Sequence, residues 1–170
     1  MRYGLILCFL ACALGSAFAQ TTVTIKSVSP AAFGFNVTVE VTNVGTRPIV
    51  VQLSPNPAAG HPRLQSLTVE QWDTNLGWQR VGPCKDIEGQ RTRTLSQHQA
   101  MQDVVPIGDV AHGWSNAPCP RKIQHLGGKI RAVLACTYDS EGEFKRRRGI
   151  EQCQLVESPP VELPNWHSPD

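Results

Sequence analysis

From Phe35 to Thr42 the chain reads Phe-Asn-Val-Thr-Val-Glu-Val-Thr, with apolar and polar residues changing places at every position. Successive side chains point to opposite sides only in an extended strand. The stretch therefore predicts a β-strand that buries Phe35, Val37, Val39 and Val41 and turns Asn36, Thr38, Glu40 and Thr42 outward. A helix would spread the same four apolar residues around its circumference and leave no face to bury. Asn43-Val44-Gly45-Thr46-Arg47-Pro48 follows with turn-forming residues, and Ile49, Val51 and Leu53 resume on one face. The two segments read as a hairpin.

The same reasoning places further strands. Val23, Ile25 and Val28 predict a first strand ended by Pro30, and Leu67–Trp72 with Trp78–Val81 flank a turn at Asp73-Thr74-Asn75, a second hairpin. Thr92 to Ile107 is sparser in apolar residues and reads as a strand ending near Pro106. In Lys129–Tyr138, Ile130, Ala132, Leu134, Cys136 and Tyr138 share a face, as expected of a central strand. No segment between residues 21 and 170 holds a helical period across three turns, and the 13 prolines and 14 glycines of the chain are spread as turn formers. The class is all-β. About seven or eight strands in one domain predict an antiparallel sandwich whose inner faces stand about 10 Å apart, with a closed barrel as the alternative.

The first residues are expected to be an address. Arg2, an apolar run from Leu5 to Leu14 and the small-residue pattern Ala17-Phe18-Ala19 form a cleavable signal peptide over residues 1–19. The run is too short to span a bilayer, which takes about 20 apolar residues, and no later segment is long and apolar enough. Phe9-Leu10-Ala11 before Cys12 is a poor lipoprotein signal. The expected mature product is one domain over 20–165 with a short tail at 166–170, secreted or periplasmic. Loss of Arg2 leaves 15 basic against 14 acidic residues. So small an excess implies no nucleic-acid partner.

Cleavage also removes Cys8 and Cys12, leaving Cys84, Cys119, Cys136 and Cys153. An even number in an oxidising compartment predicts disulfides. No pair has the spacing of a zinc knuckle, so no metal is assigned to them. Cys136 shares a face with Leu134 and Cys153 with Leu155; if their strands run antiparallel, the two meet, which leaves Cys84 with Cys119. Four cysteines allow three connectivities, and this is one of them.

Phe35 to Leu53, with its Val-Glu-Val-Thr-Asn-Val-Gly core followed by Pro48 and Ile49, resembles the second and third strands of bacterial immunoglobulin-like domains, including the BsuPI type of proteinase inhibitor domain. Lys129–Tyr138 followed by Ser158-Pro159-Pro160-Val161-Glu162-Leu163 is similar to their last two strands. The resemblance covers most of residues 21 to 163 and implies an immunoglobulin-like sandwich without an active site. The four cysteines and the long loop from Gly108 to Gly128 depart from the family pattern.

Residues that carry catalysis are few. His61, His98, His112, His125 and His167 lie in no metal-binding helix motif, and neither a Gly-x-Ser-x-Gly elbow nor a phosphate-cradling loop occurs. His98, His112 and His125 with Asp103 or Asp109 are the nearest approach to a hydrolase site. No cofactor is implied. The expectation is a binding or structural domain whose partner is an extracellular or periplasmic protein or a surface polymer. Its candidate surfaces are Trp114 and the basic run Lys145, Arg146, Arg147 and Arg148. Trp72 and Trp78 are expected to pack in the core or on a sheet face. A proteinase-inhibitor module would instead present Ser54–Gln65 or Gly108–Cys119 as a protruding loop.

Overall fold

The computed structural model describes residues 21–32, 34–53, 64–82, 91–108, 125–135 and 155–167. Among them are ten strands and no helix: β1 Thr21–Ala31, β2 Gly34–Asn43, β3 Ile49–Leu53, β4 Leu67–Asp73, β5 Gly77–Arg80, β6 Arg91–Leu95, β7 Ala100–Gly108, β8 His125–Ala135, β9 Leu155–Glu157 and β10 Val161–His167. All pairing is antiparallel. One sheet has the order β1-β2-β7, a second β10-β8-β4-β5 with β9 also on β8, and β3 pairs with β6. The all-β expectation holds, with more strands than the seven or eight read from the sequence. No helix among the described residues is long and apolar enough to cross a membrane.

The alternation in β2 does what period two requires. Phe35, Val37, Val39 and Val41 are buried, and their partners on β7 are Ile107, Val105, Asp103 and Met101. From the second sheet, Leu67, Val69, Ile130, Ala132 and Leu134 join the same core. The inner faces of both sheets thus bury each other, and apolar area removed from water is the main term stabilising the fold.

The two prolines expected at strand ends lie just inside them. β1 runs through Pro30 to Ala31, and β7 carries Pro106 inside it. Both strands lie at the ends of their sheet. A residue without an N–H is tolerated there because only one side of the strand needs a ladder. β1 also holds a bulge: Ile25 pairs with Val39 but Ser27 with Thr38, leaving Lys26 as the extra residue. The bulge shifts parity by one, so Val28 lies on the same side as Val23 and Ile25 despite the odd spacing.

The expected β2–β3 hairpin does not form. β2 belongs to the three-stranded sheet and β3 to the pair with β6. The expected single strand across 92–107 is likewise two strands, β6 and β7. Strand pair β2/β7 passes into strand pair β3/β6 through one shared corner, and buried Asn43 holds it. Its amide donates to Arg47 O (2.7 Å) and Leu95 O (2.9 Å), while its Oδ1 accepts from Gly45 N (3.0 Å). Its backbone N–H donates to Gln99 O and its carbonyl accepts from His98 N. His98 takes a left-handed φ of 60° to make this turn.

The β4–β5 hairpin matches expectation. Asp73 Oδ1 accepts from Asn75 N (2.8 Å) and Leu76 N (2.9 Å), closing an Asx turn that Gly77 leaves at φ 75°. Strand β8 is central, as expected, with β4 on one edge and β9 and β10 in succession on the other. Ser158 bridges those two: its N–H donates to Ala132 O (2.8 Å) and its Oγ accepts from Ala132 N (2.9 Å). β10 runs to His167, past the domain end expected at 165.

Candidate functional site

The inner-face register fixes what stands outside. With Leu67, Val69, Ile130, Ala132 and Leu134 inward, the alternate residues Glu70, Trp72, Trp78, Arg80, Lys129 and Arg131 share the outer face of the five-stranded sheet. Glu157 lies there too, paired with Val133. Val81 N donates to Val69 O (2.9 Å), which makes that pair a hydrogen-bonded one and, three alternations on, makes Trp72↔Trp78 a non-hydrogen-bonded one. Side chains approach most closely in such pairs. The two indoles meet edge to face, with centroids 5.3 Å apart and planes at 69°.

Arg131 organises this face. Its guanidinium lies over the Trp78 ring, 4.4 Å from the centroid. Its Nε and Nη2 donate to Glu70 Oε2 at 2.9 and 2.8 Å, and its Nη1 donates to Glu157 Oε2 at 2.5 Å. The Arg131 side chain is only 18% exposed, which makes this forked pair less screened than an ordinary surface ion pair. Trp72 remains 45% exposed beside it and Leu76, in the hairpin turn, 57%. An aromatic of that size held open to water on a sheet is a candidate contact surface.

A second built feature is the base of the segment between β3 and β4. Leu53 and Leu64 form an antiparallel bridge, Gln65 N donates to Gln52 O (3.0 Å), and Leu64 N donates to Oδ2 of buried Asp103 (2.8 Å). Asp103 thus spends a core position on holding the backbone next to β4, which accounts for a carboxylate on the inner face of β7.

Of the histidines grouped in the sequence, the described residues include His98 and His125, which stand at opposite ends of the fold. His98 is exposed in the β6–β7 turn, at the end of the molecule where β4 begins, as the Leu64–Asp103 bond fixes. His125 lies beyond the Gln71↔Ile130 pair, at the end where β4 finishes, and its backbone is in register with that of His167. Among the described residues no group of three His, Cys, Asp or Glu side chains is placed to hold a metal. His61, His112 and Asp109 lie outside the described residues, as do Cys84, Cys119, Cys136, Cys153, Trp114 and Lys145 to Arg148.

Trp72 and Trp78 pack on a sheet face, one of the two placements expected of them. The sequence reading did not single out Glu70, Arg131 or Glu157. Alternation with Val69, Ile130 and Val156 marks all three as outward, but only the registers Glu70↔Arg131 and Val133↔Glu157 bring them together. Compared with known proteins, the chain matches no family model, no curated protein and no solved structure.

Proposed function

We propose that this protein is an exported, disulfide-stabilised immunoglobulin-like β-sandwich that works by binding or as a structural part, without catalysis. The observation that carries this reading is the outer face of the five-stranded sheet, where Arg131, Glu70 and Glu157 fix two tryptophans and leave Trp72 open to solvent. A rigid, part-apolar surface on a sheet is what recognition needs, since little side-chain freedom is left to lose on contact. The partner is an extracellular or periplasmic protein or a surface polymer, met after signal-peptide cleavage near Ala19.

Pairing of Cys136 with Cys153 is supported by the β8–β9 ladder alone: Ala135↔Leu155 is its last pair, next to Cys136 and two residues from Cys153. Cys84 and Cys119 form the other bridge, and each is worth about 3 kcal/mol through restriction of the unfolded chain. Mass spectrometry of the non-reduced exported protein is expected to give a chain starting near Gln20 with peptides Cys136–Cys153 and Cys84–Cys119. A retained leader, free thiols or a Cys84–Cys136 peptide would overturn this assignment.

The clamped base at Leu53 and Leu64 favours a second reading, a proteinase-inhibitor-type module presenting the Ser54–Gln65 loop. A loop that resists cleavage must have its ends held together, and Asp103, Gln52 and the Leu53–Leu64 bridge hold these ends. No inhibition across a broad protease panel at micromolar protein sinks it.

A further inference from the structure

We propose that the outer face of the five-stranded sheet binds a neutral saccharide, with Trp72 as the stacking platform and the unspent carboxylate oxygens of Glu70 and Glu157 as hydroxyl acceptors. This deepens the reading of the chain as an exported binding module and rests on it.

Three observations narrow the ligand to that class. The position where a cation gains most is already filled, because Arg131 lies over Trp78 and takes one oxygen from each of the two carboxylates. A basic side chain from a partner would have to displace it. Next, among the described residues the face carries Glu70, Glu157 and Glu162 against Arg80, Lys129 and Arg131, three charges of each sign, a balance that does not favour a charged ligand of either sign. Finally, Oε1 of Glu70 and of Glu157 has no protein partner among the described residues, while Oε2 of each is held by Arg131.

Two fixed acceptors on the same sheet face as an exposed indole match a ligand with hydroxyl donors on its rim and a C–H face on its ring. Hydroxyl to carboxylate is a charge-assisted hydrogen bond, stronger than a neutral one. The C–H face covers the Trp72 ring at little desolvation cost. Glu70 on β4 and Glu157 on β9 reach the same Arg131 guanidinium from either side of β8, so their carboxylates stand closer together than the two strands do. The face thus accepts a short oligosaccharide laid across the strands, and no cavity is required.

The test is titration of the full mature protein with defined neutral oligosaccharides of the β-glucan, xylan and chitin types, read by calorimetry and tryptophan fluorescence. A sulfated glycan and an arginine-rich peptide serve as contrasting probes. The expected result is binding of a neutral glycan, with affinity unchanged by added salt. Trp72→Ala should weaken it by about tenfold or more, and Glu157→Gln by about three- to tenfold. Far-UV circular dichroism confirms that each variant is folded, and Glu157→Gln carries the test should Trp72→Ala not fold. Binding of the sulfated glycan or the peptide alone, no response to any neutral glycan, or variants that bind like the wild type would overturn the proposal. A protein exported with its bridges intact yet silent towards neutral glycans refutes only the saccharide. Failure of export itself refutes the underlying reading.

Discussion

The two main sheets turn their inner faces to one core but present different outer faces to water. On the three-stranded sheet the outward residues of β2 are Asn36, Thr38, Glu40 and Thr42, and a polar row crosses the strands from Lys26 through Glu40 to Gln102. Lys26 Nζ donates to Glu40 Oε1 at 3.2 Å and Gln102 Nε2 donates to Glu40 Oε2 at 3.0 Å. On the five-stranded sheet the outward residues are tryptophans fixed by a forked arginine. Both faces are crossed by hydrogen-bonded charges, yet among the described residues only one keeps a large apolar ring in place. Charge pairs on long exposed side chains keep a face soluble and specify little, whereas a part-buried guanidinium stacked on an indole sets a shape.

The strongest way to break the comparison is to remove what both faces rest on. Ile130→Ala deletes a fully buried side chain beneath Arg131 and is expected to cost about 2–5 kcal/mol in urea unfolding. Tryptophan fluorescence and far-UV circular dichroism should lose both sheets in one transition; two separated transitions would show that the sheets are held independently. Arg131→Ala comes next. It strips both carboxylates of their partner and is expected to cost about 1–3 kcal/mol and to change the near-ultraviolet dichroism of the indole pair. Lys26→Ala on the opposite face removes a partner of Glu40 and should leave the urea midpoint where it was.

The smallest expected effect is one of pH. The Gln102 amide and then Lys26 hold the Glu40 carboxyl below its ordinary value of 4.5. A carboxyl depressed by folding contributes stability above its unfolded pKa and loses it as pH falls through the folded one. The gap in urea midpoint between wild type and Glu40→Gln should therefore close on acidification from neutral pH to below the ordinary carboxylate range. A gap that widened would reverse the sign assigned to this group.

Strand character was legible in the sequence, and pairing was not. The alternation of Phe35–Thr42 named the buried set of β2, and Asp73-Thr74-Asn75 marked a true hairpin turn. Asn43 to Pro48 has the same kind of composition as a hairpin turn, but it crosses between sheets. What decides is the reach of the Asn43 amide to Leu95, a contact 52 residues away that no local pattern contains. The ends of β1 and β7 fell within two residues of the expected prolines; both strands carry the proline inside them because they are outer strands, and position in a sheet is not local. At the candidate site the tryptophans were visible by type, but their link to Arg131 depends on the register of β4 against β8.

The outer strands have a consequence for life at high concentration. β1 carries Pro30 and the Lys26 bulge, β7 carries Pro106, and β9 meets β10 through Pro159 and Pro160. On β5 the Gln79 side-chain amide donates to Trp78 O (3.1 Å), covering a carbonyl on the side facing away from β4. A second molecule that tried to extend either sheet would meet missing donors, a twisted register or an occupied acceptor. The features that blurred the strand ends in the sequence are thus the ones that work against fibrous self-assembly of the folded protein.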